Sequence, residues 1–281
     1  MTKAPHISSM SDWKDAALLL VGHGSSKTPN ARQAASRLAE RLRALNLFAE
    51  VRACFWKEEP FVSLDLVRSR IVHVVPYFSG AGVFTKKLIP ERLGLTGRVS
   101  EIAGRTVYYS EPVGTHPEIP CLLCRRAHEL CRVNGIKATD ATLLMIAHGS
   151  SKPGGSSGTP EAVAERLRRD AGFAEVAIAY IEQEPFVCDW PKLVSTRHVI
   201  GAPLLVSEGM HASQDLPPLF GLTAPEGGPS EIGRHLVWLM GGIGRDPEVA
   251  QIILDLITAT QYGESPALPC HHGSLEGRIA P

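Results

Sequence analysis

Leu18 to Lys27 reads LLLVGHGSSK, and Leu143 to Lys152 reads LLMIAHGSSK. The shift of 125 residues that carries His23 onto His148 also lays AERLR at Ala39 on AERLR at Ala164, and FAEV at Phe48 on FAEV at Phe173. Chance does not give three matches at one offset. A period far beyond the roughly 20–50 residues of a solenoid marks a duplicated domain. After EPFV, at Glu59 and Glu184, the shift becomes 127, and RIVHVVP ending at Pro76 meets RHVIGAP ending at Pro203. The second copy therefore carries a small insertion. A chain of 281 residues also exceeds the usual ~100–200 residues of one domain, so each copy has room for its own core. The expected division is an N-terminal lobe over 1–137, a C-terminal lobe over 138–262, and a tail over 263–281, with the join near NGIKATDA.

Within a copy, ALLLVGHG is a continuous apolar run ending at glycine, the pattern of a strand buried on both faces of a parallel sheet. NARQAASRLAERLRAL then places Ala31, Ala34, Ala35, Leu38, Leu42 and Leu45 at helical spacing, and PEAVAERLRRDAG repeats the pattern. EVRACFW and EVAIAYI predict second strands, each followed by a short helix after EPFV. RIVHVVPYF and RHVIGAPLLV predict third strands, and TVYYSEPVG and HLVWLMGGIG later ones. HPEIPCLLCRRAHELCRVNG and DPEVAQIILDLITATQ open on helix-start signals and close the copies. Alternating strands and helices predict an α/β fold with mainly parallel sheets, one per lobe.

Ligands of open parallel sheets gather beyond the C-terminal ends of the strands, where His23 and His148 both fall. An isolated histidine beside glycine in a tight turn does no more than bond backbone as often as it binds a ligand. Here the copies differ in a way that decides between those roles. The second copy offers His148, Glu182 in AYIEQEP and His211 in SEGMHASQDLP; the first offers His23, Lys57 in CFWKEEP and Phe84 in GAGVFTKKLIP. Two imidazoles and a carboxylate suit divalent cobalt, nickel, iron or zinc, and the same groups suit proton transfer near neutral pH. Lys57 repels a cation and Phe84 has no lone pair, so the second copy is the competent one and the first is its scaffold or lid.

HGSS after an apolar strand, the F-x-E…P element present as YIEQEP, and the G-x-H…D-I/L-P element present as GMHASQDLP occur in that order. Together they resemble the class II tetrapyrrole chelatases, the sirohydrochlorin cobaltochelatases and ferrochelatases of the two-lobed CbiX type, over about residues 16 to 260. The resemblance implies two flavodoxin-like lobes facing across a cleft that holds a planar tetrapyrrole, which loses two pyrrole protons as a divalent metal enters. His148, His211 and Glu182 are then the metal-binding and catalytic set. Cobalt is the expected metal, for cobalamin synthesis, with iron for sirohaem the alternative and nickel also compatible. A non-catalytic tetrapyrrole or metal carrier is a further alternative. Sirohydrochlorin carries eight carboxylates, and the expected donors to them are helix N-termini following each HGSS loop, with Gly149, Ser150 and Ser151, and the cations Lys86 and Lys87. His23 either bonds the substrate's carboxylates from the facing lobe or is a relic.

Twenty-nine basic residues balance 29 acidic ones with no like-charge run, which leaves no nucleic-acid footprint. The longest apolar runs fall short of the ~20 residues of a membrane span, and MTKAPHISSMSDWKD lacks a signal peptide's apolar core, so a cytoplasmic protein without a membrane partner is expected. Two lobes in one chain make the cleft without a dimer, which predicts a monomer or weak oligomer. Six cysteines are too sparse for a disulfide scaffold. Cys121, Cys124 and Cys131 share one narrow helical face, ordinarily a core face. The alternative is an iron–sulfur or accessory metal site completed by Cys270 of the tail, beside His271 and His272.

Overall fold

The computed structural model of the chain describes residues 13–26, 32–150, 158–206, 216–223 and 227–263. In the first copy β1 (Ala16–Gly22), α1 (Gln33–Ala44), β2 (Glu50–Phe55), β3 (Ile71–Pro76), α2 (Ile89–Leu93), β4 (Val99–Ile102), β5 (Arg105–Tyr109) and α3 (Ile119–Val133) follow in order. The second copy repeats the series as β6 (Ala141–Ala147), α4 (Gly158–Asp170), β7 (Glu175–Tyr180), β8 (His198–Pro203), α5 (Leu216–Leu219), β9 (Gly227–Ile232), β10 (His235–Leu239) and α6 (Val249–Tyr262). The sheets run β2-β1-β3-β5-β4 and β7-β6-β8-β10-β9, identical orders that fit the repeat in the sequence. All pairings are parallel except the edge pairs β4–β5 and β9–β10, which are antiparallel. That edge hairpin is where the sheet departs from the all-parallel 2-1-3-4-5 order of flavodoxin. The repeated SEI, at Ser100 and Ser230, carries it.

Every residue of β1 and β6 is buried, as their unbroken apolar runs require. Alternate side chains serve two cores. Leu18, Leu20 and Val75 point to a central core shared with Leu143, Met145 and Ile200 of the second sheet. Ala17, Leu19, Val72 and Val74 point outward to a satellite core under α2, and Leu144, Ile146 and Val199 do the same above α5.

The closing helices are exchanged between copies. α3 packs against α4 and β8 of the second copy, and α6 packs against β3, β5 and α1 of the first. Directed bonds fix the exchange: Arg126 of α3 donates to the Gly241 carbonyl at 2.7 Å, and Trp13 Nε1 donates to Gln261 Oε1 of α6 at 2.7 Å. Arg98 donates to the Thr260 carbonyl at 3.1 Å and to that of Ala259, in the last turn of α6. Periodicity identifies such helices but is silent on which sheet they cover.

The loops past β3 and β8 meet. Val206 N–H donates to Ser79 Oγ at 3.1 Å, Ala81 N–H donates to Thr159 Oγ1 at 3.2 Å, and the Tyr77 hydroxyl donates to the Gly244 carbonyl at 2.9 Å. The C-terminal ends of the two sheets therefore adjoin.

Candidate functional site

β6 and β7 are paired to their last residues, Ala147 opposite Tyr180. His148 and Glu182 lie just beyond that pair. The Glu182 N–H donates to the His148 carbonyl at 2.9 Å, which locks the two turns together. Gly149 follows with φ +74°, and a Cβ there would lie 2.7 Å from Gln183 Cγ, so only glycine makes the turn. The Ser150 N–H is held by Gln183 Oε1 at 2.9 Å.

These restraints aim the His148 ring. Its Nδ1 lies 3.1 Å from the Gly149 carbonyl and 3.7 Å from Glu182 Oε2. Both neighbours are acceptors, so Nδ1 carries the proton and the lone pair falls on Nε2. A carboxylate beside one ring nitrogen helps to fix the orientation of the ring. The two side chains retain 39% and 46% of their exposure, open enough for a ligand to reach them. His211 and Ser151 lie outside the described residues. Among the described residues no group of three His, Cys, Asp or Glu side chains forms a metal cluster.

The first copy repeats the backbone and changes the side chains. The Lys57 N–H donates to the His23 carbonyl at 2.9 Å, Gly24 has φ +68°, His23 Nδ1 lies 3.0 Å from the Gly24 carbonyl, and the Ser25 N–H is held by Glu58 Oε1 at 3.0 Å. Where the second copy has a carboxylate, Lys57 extends into solvent. Phe84 packs edge-on against His23, with ring centroids 4.8 Å apart, and Trp56 and Phe78 join it at 5.9 and 6.0 Å. The sequence reading missed Glu58 and Gln183, which hold the two loops, and Trp56 and Phe78. The only signal for the first pair was their equal place in KEEP and EQEP.

Lys86 and Lys87 are exposed on the π-helical turn Phe84–Leu88. Lys86 also lines a cleft of about 880 Å³ between that turn, the end of β5 and the last turn of α6. The expected helix N-termini stand further off. α1 begins at Gln33 and α4 at Gly158, several residues past the HGSS turns.

Of the two readings of the cysteine-bearing helix, the structure supports the core face. Cys121 is disulfide-bonded, which removes it as a thiolate ligand. Cys124 and Cys131 are free but 6% and 2% exposed within the central core, where burial raises both thiols, that of Cys131 to about 11. That setting is the core face which their helical spacing predicts. Cys270 lies outside the described residues.

The CbiX family model matches residues 17–130 and 142–260. A Halobacterium salinarum protein named as a probable sirohydrochlorin cobaltochelatase is 30% identical over 263 residues, covering 85% of this chain and 89% of its own. A Methanopyrus kandleri sirohydrochlorin cobaltochelatase is 30% identical over 138 residues, 40% of this chain and 95% of its own. Among solved structures, a multi-domain Deinococcus radiodurans protein with structural similarity to chelatases superposes with TM-score 0.69 at 28% identity over 86% of this chain, which spans only 54% of that protein. Bacillus subtilis SirB with Fe3+ superposes with TM-score 0.66 at 21% identity, covering 89% of this chain and 98% of that one, a likeness of fold.

Proposed function

The chain belongs to the CbiX family of chelatases, and from that membership we propose that it inserts a divalent metal, cobalt first, into metal-free sirohydrochlorin with release of two protons. The observation that carries this reading is the His148–Glu182 pair at the mouth of the second sheet, its Nδ1 3.7 Å from Glu182 Oε2. The ring's Nε2 takes a pyrrole proton or receives the incoming metal, and Glu182 stabilises the imidazolium that proton capture creates. His211, placed by sequence in the same copy, completes the nitrogen and oxygen donor set. Lys86 and Lys87 meet the carboxylates of the macrocycle, and replacing both with alanine raises the Michaelis constant for it. The Halobacterium relative's name supports cobalt over iron; the donors themselves bind either, in an order set by general affinity.

The test is a mixture of protein, metal-free sirohydrochlorin and cobalt, iron or nickel in turn, followed by the absorbance shift on metal entry. Fastest insertion with cobalt is expected, and His148→Ala lowers kcat by about 10²-fold or more, the contribution of a positioned acid–base group. Fastest insertion with iron makes the protein a ferrochelatase. A shift no faster than the protein-free control makes it a carrier and ends the enzymatic reading.

A further inference from the structure

Where the second copy carries His148, Glu182 and His211, the first carries a cluster of rings. At equivalent positions the second copy has Ile181, Leu205 and His211 where the first has Trp56, Phe78 and Phe84. All three rings are half-buried at the C-terminal end of the first sheet, seated on its outer core but not closed over by it. Phe78 and Phe84 lie nearly parallel, 20° apart, while His23 and Trp56 meet Phe84 at 84° and 77°. Phe55, next to Trp56, is by contrast sealed at 2% exposure.

The shelf borders the second mouth. Ser79, one residue past Phe78, receives the Val206 amide, and Ala81 bonds Thr159 at the start of α4, the helix that follows the His148 turn. Lys57 follows Trp56 in the chain, and Lys86 and Lys87 follow Phe84; all three are exposed, as is Glu59. Glu58 is committed to the Ser25 amide. A partly open π surface with three exposed lysines close by in sequence fits a flat conjugated ligand with an anionic rim.

We propose that the first copy is a stacking shelf, on which Phe84, Phe78 and Trp56 take the face of the macrocycle while the second copy supplies the metal chemistry. The proposal rests on the chelatase reading for the identity of the macrocycle. It makes Phe84 and Trp56 positioning residues, which bind substrate and transition state alike and so act on KM more than on kcat.

Trp56 provides the probe, because the other tryptophans, Trp13, Trp190 and Trp238, are 1%, 2% and 5% exposed. Metal-free sirohydrochlorin titrated into the full chain is expected to quench a fluorescence component that Trp56→Phe removes. Phe84→Leu and Trp56→Leu each raise the macrocycle's KM about threefold to tenfold, the worth of one aromatic pair, with kcat and the cobalt KM unchanged. Trp56→Phe and Phe84→Tyr keep the wild-type KM. A fall in kcat together with melting temperature in the leucine variants, without a change in KM, assigns the rings to the fold and overturns the shelf. So does an unquenched Trp56 in a chain that inserts metal. If the wild-type chain inserts no metal yet the macrocycle quenches Trp56, the chelatase reading fails and the shelf stands.

Discussion

At Gly149 the backbone is left-handed and the space for a side chain is already filled, with Tyr180 Cβ 3.0 Å and Gln183 Cγ 2.7 Å from where a Cβ would stand. Left-handed strain alone costs roughly 1–2 kcal/mol, and relieving the clash moves the residue that holds Ser150. Gly149→Ala is therefore expected to destabilise the protein by about 2 kcal/mol or more in urea unfolding, and to lower the insertion rate further because His148 turns with its neighbour. This turn was legible in the sequence: glycine ends an apolar run beside a histidine, twice. The residues that brace it were not, because Glu58 and Gln183 are ordinary surface residue types whose role exists only once β1 is paired with β2, and β6 with β7.

β3 carries an element-scale consequence. His73 lies in the middle of that strand, 1% exposed, stacked on Tyr108 with centroids 5.1 Å apart and edged by Trp13 and Phe48, and among the described residues neither ring nitrogen has a hydrogen-bond partner. Burial pushes it down to about 4, and burial does the same to His116 before α3. Both are neutral in the fold and charge more readily when it opens. The unfolded chain thus binds more protons between about pH 4 and 6.5, so stability is full above that window and falls as pH drops through it. Each histidine accounts for on the order of 3 kcal/mol across the window. Equilibrium unfolding of His73→Phe is expected to show a shallower acid limb than the wild type; an unchanged limb removes His73 as its source. The apolar run around His73 predicted the strand but not the ring's neighbours. The edge strands β4 and β9 escaped prediction because VSEI and GGPSEI alternate weakly and stay largely exposed.

For the whole molecule, the exchange of α3 and α6 decides what counts as a folding unit. α6 buries Ile252, Ile253, Leu256 and Ile257 in a core built largely on the other copy's sheet, so each lobe expressed alone exposes an inner sheet face and an orphan apolar helix. Neither 1–137 nor 138–281 is expected to unfold cooperatively by itself, and mixing them should restore a cooperative transition; a cooperative melt from either half would contradict the interlock. Leu256→Ala is expected to cost about 2–5 kcal/mol, although Leu256 faces the first copy's strands. The repeat in the sequence announces two lobes but not this crossing, since an amphipathic face fits either sheet. Crossing also governs motion. Lobes joined by one linker swing about a hinge, and a bound ligand leaves when they part. Lobes that each clasp the other's last helix have no such swing without breaking both clasps, so the two sheet mouths are held in fixed register.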